Sequence, residues 1–187
     1  MSGYEIIRKE DTETMCWSGG TTRELLIYPE KSHYKSKDFL FRLSVATIEV
    51  PTSEFTPLEG IRRTTLILDG TIELTHRGHY SKKLESLEQD SYDGGWQTDC
   101  RGMCSDFNLM LRENTQGSVR IVDWDNLKDL SFQQNRKYLI YVHEGSLIFD
   151  GEMLKKEDAV YVEANAPKLN LESVDAKLVV CEIETNS

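Results

Sequence analysis

Two stretches about 75 residues apart share one pattern, Leu66-Ile67-Leu68-Asp69-Gly70-Thr71-Ile72 and Tyr141-Val142-His143-Glu144-Gly145-Ser146-Leu147. Each is an apolar run, an acidic residue followed by glycine, and a second run suited to a strand. An acid-glycine pair between two such runs reads as a hairpin turn. The separation is too long for a solenoid and fits a duplicated β-unit. Many short strand candidates, few helical periodicities and glycine-rich turns argue for an all-β sandwich or barrel, and the repeat then suggests two jelly-roll units packed together. The expected division is residues 1–122 for the first unit, carrying any working site, and 123–187 for a smaller second unit packed into the same body.

The rest of the chain agrees with this class. Tyr4 to Arg8 reads as a first strand, and Arg23 to Tyr28 as a strand stopped by Pro29. Phe39 to Val50 is the longest strand candidate. Alternation puts Phe39, Phe41, Leu43 and Val45 on a core face and Leu40, Arg42, Ser44, Ala46 and Ile48 on the other. That second face suits either a partly polar cavity or solvent. Asp90 to Gly102 reads as turn-rich, and Phe107 to Arg112, Ser118 to Val122, Asp158 to Val162 and Lys177 to Ile183 as further strands. Asp123 to Gln134 is the one long connection, with room for a helical turn.

Composition excludes several functions. The 187 residues carry a formal net charge of −10, which argues against nucleic acid as a partner, since backbone-binding proteins present a basic surface. No apolar run approaches the roughly 20 residues that cross a bilayer, and no secretory signal opens the chain. A cytoplasmic protein is expected, with no membrane partner. Cys16, Cys100, Cys104 and Cys181 fit neither a paired zinc site nor a disulfide framework, and are expected to be free thiols. His33, His76, His79 and His143 lack the spacing of a metal site built on a β-barrel. His76 and His79 fall on opposite faces if they share a strand, and exposed or capping roles are expected for all four. Neither a metal nor any other cofactor is expected.

The polar residues that remain group in two places. Around Trp17-Ser18-Gly19-Gly20 and Thr22-Arg23-Glu24, the glycines let backbone approach a ligand or form a tight turn. In Asp106 to Arg112, alternation gathers Asp106, Asn108, Met110 and Arg112 opposite Phe107, Leu109 and Leu111. Burying such a set without partners costs about 1–3 kcal/mol per group, so the groups pair with one another or surround a ligand. Arg23, Arg42 and Arg112 offer planar forks to a carboxylate, and Asn108 both donates and accepts. A buried ion-pair network that merely fixes two strands fits the same residues.

Several of these residues carry a family resemblance. Trp17, Gly19-Gly20 and Thr22-Arg23-Glu24 resemble the opening signature of the HutD/Ves family, W, N-G-G, T-R-E. Phe41 to Ala46 resembles its W-R-[IL]-S-x-A strand. Phe55, Gly60, Arg63 and Leu68-Asp69-Gly70 are similar to its F, G, R and L-x-G elements, and Asp106 to Arg112 to its D-F-N-x-M-x-R signature. Ser18 and Thr21 depart from the usual Asn and third Gly. The resemblance implies a bacterial protein with a two-unit cupin-type fold, a bicupin. Some members are encoded with histidine-utilisation genes and proposed to regulate that pathway, and others are described as stress-induced. It implies no catalytic activity, so no catalytic residue is assigned. The ligand-binding expectation rests on Gly19, Gly20, Thr22, Arg23, Glu24, Arg42, Ser44, Arg63, Asp106, Asn108 and Arg112. The expected function is metal-free binding of a small anionic metabolite with a regulatory role. The alternatives are a metal-independent isomerase or hydrolase using Asp106 or Glu24 as acid or base, and a protein-interaction module. Exposed sheet edges leave a homodimer open.

Overall fold

The computed structural model describes residues 3–112, 114–123, 126, 132–133, 135–163 and 171–185. Most of the connection 123–134 lies outside them. The protein is all-β, with strands β1 to β14 forming two sheets. The eight-stranded sheet contains β2 (Thr14–Trp17), β3 (Gly20–Tyr28), β4 (Phe41–Ile48), β5 (Thr52–Phe55), β6 (Ile61–His76), β7 (Tyr80–Glu85), β8 (Gln89–Asp93) and β9 (Thr98–Arg112). Its order is β2-β3-β4-β9-β6-β7, with β5 on β9 and β8 on β6. The six-stranded sheet contains β1 (Tyr4–Ile7), β10 (Thr115–Asp123), β11 (Arg136–Phe149), β12 (Glu152–Lys155), β13 (Ala159–Glu163) and β14 (Leu171–Thr185). Its order is β1-β13-β11-β14-β10, with β12 on β11.

Two compact units result: Glu13–Thr115, and Met1–Thr12 with Gln116–Ser187. The opening strand therefore belongs with the later segment, because β1 pairs antiparallel with β13, Tyr4 opposite Val162. The first strand to end on a sequence signal is β3, which stops at Tyr28 before the cis Tyr28–Pro29 bond.

Neither repeated acid-glycine pair is a hairpin turn. Asp69-Gly70 lies inside the continuous strand β6, where the register with β9 shifts between Ile67 and Asp69. Glu144-Gly145 lies inside β11, where the register with β14 shifts on both sides of Glu144. An acid-glycine pair satisfies a bulge as well as a turn, because both need one residue at positive φ. Gly70 has φ 93°, and a Cβ there would stand 2.6 Å from the Met103 carbonyl of β9. The repeated device is thus a long strand bent at a bulge across a long partner. The segment expected to be turn-rich likewise yields β8 and the start of β9 around a turn at Gly94-Gly95.

In the Glu13–Thr115 unit the sheet curls until Ile48, Ile67, Ile72, Leu74, Leu84, Tyr92, Cys100 and Cys104 meet in one apolar cluster. Trp17, Val50, Phe55 and Trp96 pack against it. A smaller cluster of Phe39, Leu58, Ile61 and Met110 forms farther along β9. The other unit has its own cluster, built on Tyr138, Ile140, Val142, Leu147, Phe149, Val160, Leu178 and Val180 among others.

Candidate functional site

On the inner face of β9, Cys100 and Cys104 belong to the larger cluster and Met110 to the smaller. Asp106 and Asn108 lie between them, and strand pairing extends this interval into a polar belt. Asn108 stands opposite Ser44 on β4 and Thr65 on β6, Ser44 opposite Glu24 on β3, and Thr65 opposite Asp90 on β8. Asp106 stands opposite Ala46, which faces Thr22, while Arg42 and Arg63 flank Met110. Directly paired residues share a face, so one strand's alternation is enforced across five. The second face of β4 is therefore interior and polar rather than solvated: Arg42 and Ser44 are 3% and 2% exposed.

Most of the belt is mutually satisfied. Arg42 donates from Nε to Glu24 Oε2 at 2.6 Å and from Nη1 to Ser44 Oγ at 3.1 Å, and its guanidinium lies 4.6 Å from the Tyr34 ring. Glu24 thus forms an ion pair with Arg42. Thr65 donates to Asn108 Oδ1 at 3.1 Å, which leaves the Tyr92 hydroxyl, 3.4 Å away, as donor to Thr65. Asn108 Nδ2 donates to Asp106 Oδ1 at 2.6 Å.

Arg63 is different. It is buried between aromatic rings, 4.9 Å from Phe55 and 5.7 Å from Tyr92, and its Nε–H has no partner. A guanidinium keeps its charge at any accessible pH, and an uncompensated buried ion costs several kcal/mol. Asp106 lies within its electrostatic reach. Burial pushes that carboxyl up to about 7, against the opposing pull of Arg63, the Asn108 amide and the Ala46 backbone N–H. Among the described residues the belt thus holds a cation that forms no ion pair, and a carboxyl that resists ionising.

Of the expected site residues, Thr22, Glu24, Arg42, Ser44, Arg63, Asp106 and Asn108 come together on this face. Arg23 does not: it pairs opposite Val45, on the reverse face of β3 from Thr22 and Glu24. Arg112 keeps the parity of Asp106 but sits at the exposed end of β9, where Nη1 donates to the Lys37 carbonyl at 2.6 Å. Gly19 and Gly20 serve packing. A Cβ at 19 would stand 2.1 Å from the Trp17 ring, and one at 20, where φ is 151°, would stand 1.9 Å from the Thr47 carbonyl. Thr65 and Tyr92 were missed, although Arg63-x-Thr65 already shows the strand's alternation. Tyr92 is placed only by its pairing with Arg63.

Of the four histidines, His33 and His79 are exposed as expected, and the other two correct the expectation. His76 is 1% exposed and His143 8%, so neither is a surface residue. His76 is held by Thr98 Oγ1 at Nδ1 (2.9 Å) and by Asp90 Oδ2 at Nε2 (3.1 Å). Asp90 also accepts from the Tyr80 hydroxyl and from Lys82. Among the described residues no group of three or more His, Cys, Asp or Glu side chains is arranged to hold a metal ion. All four cysteines are free. Burial holds Cys100 up at about 11 and Cys104 and Cys181 well above the ordinary thiol range, which removes them as nucleophiles near neutrality. An open groove of about 680 Å³ runs between Thr52–Glu54, Glu73–Arg77 and Asp99–Arg101, but Arg77 there is already held by Asp99 and Glu54. No helix among the described residues is long and apolar enough to cross a membrane.

The HutD family model matches residues 9–180. The chain belongs to the HutD family. HutD from Pseudomonas fluorescens SBW25, solved in a formate condition, superposes with a TM-score of 0.77 at 24% identity, covering 98% of this chain and 100% of that one. A conserved protein of unknown function from Pseudomonas aeruginosa PAO1 gives 0.73 at 20% identity, with both chains covered completely. The Escherichia coli pirin YhhW, in complex with nickel(II), gives 0.67 at 9% identity over 98% of this chain and 100% of that one. No curated protein matches. At these identities the structural neighbours establish the fold, which is cupin-like.

Proposed function

We propose that this HutD-family protein binds a small anionic metabolite in the polar belt of its Glu13–Thr115 unit and acts as a metal-free sensor, regulating histidine utilisation or a stress response. The supporting observation is Arg63, a buried cation whose Nε–H has no partner and which forms no ion pair among the described residues. A carboxylate beside it compensates the charge that the protein leaves open. Thr22, Ser44, Asp106 and Asn108 face the same interior and orient the anion, while Glu24 neutralises Arg42 and directs the ligand to Arg63. In this reading the chain is a bicupin, with one unit used for binding and the other as scaffold.

The test is thermal unfolding against formate, glutamate, N-formylglutamate and urocanate. A ligand of the native state at a hundred times its Kd adds about 2.7 kcal/mol. For a chain of this size that raises Tm by about 5–10 °C. The rise is expected with at least one compound and is expected to vanish in Arg63→Met. No shift from any compound, or a shift that survives this substitution, overturns the reading.

One observation favours a second reading. A carboxyl titrating at about 7 suits general acid-base chemistry, which would make Asp106 the acid or base of an isomerase or hydrolase. Consumption of the bound compound by the wild type, and none by Asp106→Asn, would favour the enzyme over the sensor.

A further inference from the structure

We infer that the indole N–H of Trp17 is a second ligand-binding donor in this interior, a conclusion that rests on the proposed anion binding there. Trp17 Nε1 is buried without a hydrogen-bond partner, as Arg63 Nε is. Both residues border one cluster. Trp17 and Phe55 both pack against it, and the Arg63 guanidinium lies over the rings of Phe55 and Tyr92. Two unused buried donors bordering one apolar cluster ask for a ligand with at least two acceptor oxygens, which a carboxylate has.

The local chain is built to hold the indole in place. Trp17 pairs with Gly20 across the β2–β3 turn, and Gly19 leaves room for the ring, since any Cβ there would overlap it. The turn is pinned to the end of β4 by the Glu49 N–H, which donates to the Gly19 carbonyl at 2.8 Å. Gly20 is confined by the Thr47 carbonyl. The glycine pair therefore acts at one remove, by fixing where the indole edge points. If packing alone mattered, phenylalanine would fill an apolar wall without burying a donor, and an unpaired buried N–H costs about 1–3 kcal/mol. Bound acceptor oxygen recovers that cost.

The experiment uses the full chain, the compound among formate, glutamate, N-formylglutamate and urocanate that raises the wild-type Tm, and two variants. Arg63→Met reports on anion binding as such, and Trp17→Phe on the second donor. Trp17→Phe is expected to weaken binding about tenfold, the effect of one lost donor. In ¹⁵N-labelled wild-type protein the indole resonance that is missing from the Trp17→Phe spectrum is expected to move downfield as the compound is added. A wild-type Tm rise abolished by Arg63→Met, with that resonance unmoved and Trp17→Phe binding as tightly as wild type, overturns the role of Trp17 and leaves anion binding standing. No wild-type response to any compound overturns both.

Discussion

The two units use the same device for different ends. Each is crossed by a long strand bent at an acid-glycine bulge, β6 against β9 and β11 against β14. In the unit containing β11 the interior is filled by Tyr138, Ile140, Val142, Leu147, Phe149, Val160 and Leu178, all 1% exposed or less. Its buried Asp158 is saturated, accepting from the Lys9 and Lys155 backbone N–H groups and from Arg8. In the unit containing β6 the interior carries Arg42, Ser44, Arg63, Thr65, Asp106 and Asn108, and the Arg63 Nε–H has no hydrogen-bond partner. A packed core gains from every apolar contact and leaves nothing for a ligand to complete. On the proposed reading, a β-unit becomes a site when its middle layer departs from apolar filling.

The largest test of this contrast is Phe149→Ala. Phe149 is fully buried and meets Tyr4 edge-on at 5.0 Å. Its loss should destabilise the protein by about 3–5 kcal/mol in urea unfolding. The carboxylate-induced Tm shift should persist wherever the variant is folded. Loss of both would break the division between a structural and a binding half.

The next effect is electrostatic. The Asp106 carboxyl titrates at about 7 in the folded protein, above its value of 3.8 when unperturbed, so between these values the native state holds a proton that the unfolded state has released. Its contribution to stability is present in full below about pH 4, declines as pH rises toward 7, and is gone above 7, a loss of about 4 kcal/mol. Asp106→Asn should remove that slope in unfolding experiments across pH 4–8. The other unit has the opposite sign. Hydrogen bonds from Lys177 and Lys137 hold Glu144 and Glu163 below the usual carboxylate range, so their stabilisation is lost in acid. A wild-type minus Asp106→Asn difference that stays flat with pH would show that folding leaves the Asp106 carboxyl where it titrates in the unfolded chain.

Arg112→Ala should have the smallest effect. Its guanidinium is exposed and holds one backbone carbonyl, so a loss of no more than about 1 kcal/mol is expected, with the ligand response unchanged. A ligand response lost in this variant would extend the site to the end of β9.

Strand alternation was enough to group Arg42 with Ser44 and Asp106 with Asn108, because side-chain direction along a strand depends only on residue parity. It also separates Arg23 from Thr22 and Glu24, although the three stand together in the family signature. Parity says nothing about depth, and Arg112 shows this: it shares a face with Asp106 yet ends at the surface. The acid-glycine pairs misled for a related reason, since positive φ is common to turns and bulges and only the length of β9 and β14 decides between them.

The all-β class, the family and the polar character of one strand face were thus determined by the sequence itself, because period, turn chemistry and motif order are local properties. Pairing across five strands was decided by the tertiary structure, which brought Thr65 and Tyr92 to Asn108 and Arg63. The same structure spent Arg42 on Glu24 and left Arg63 Nε without a hydrogen-bond partner. Whether a buried charge is satisfied depends on atoms distant in the chain.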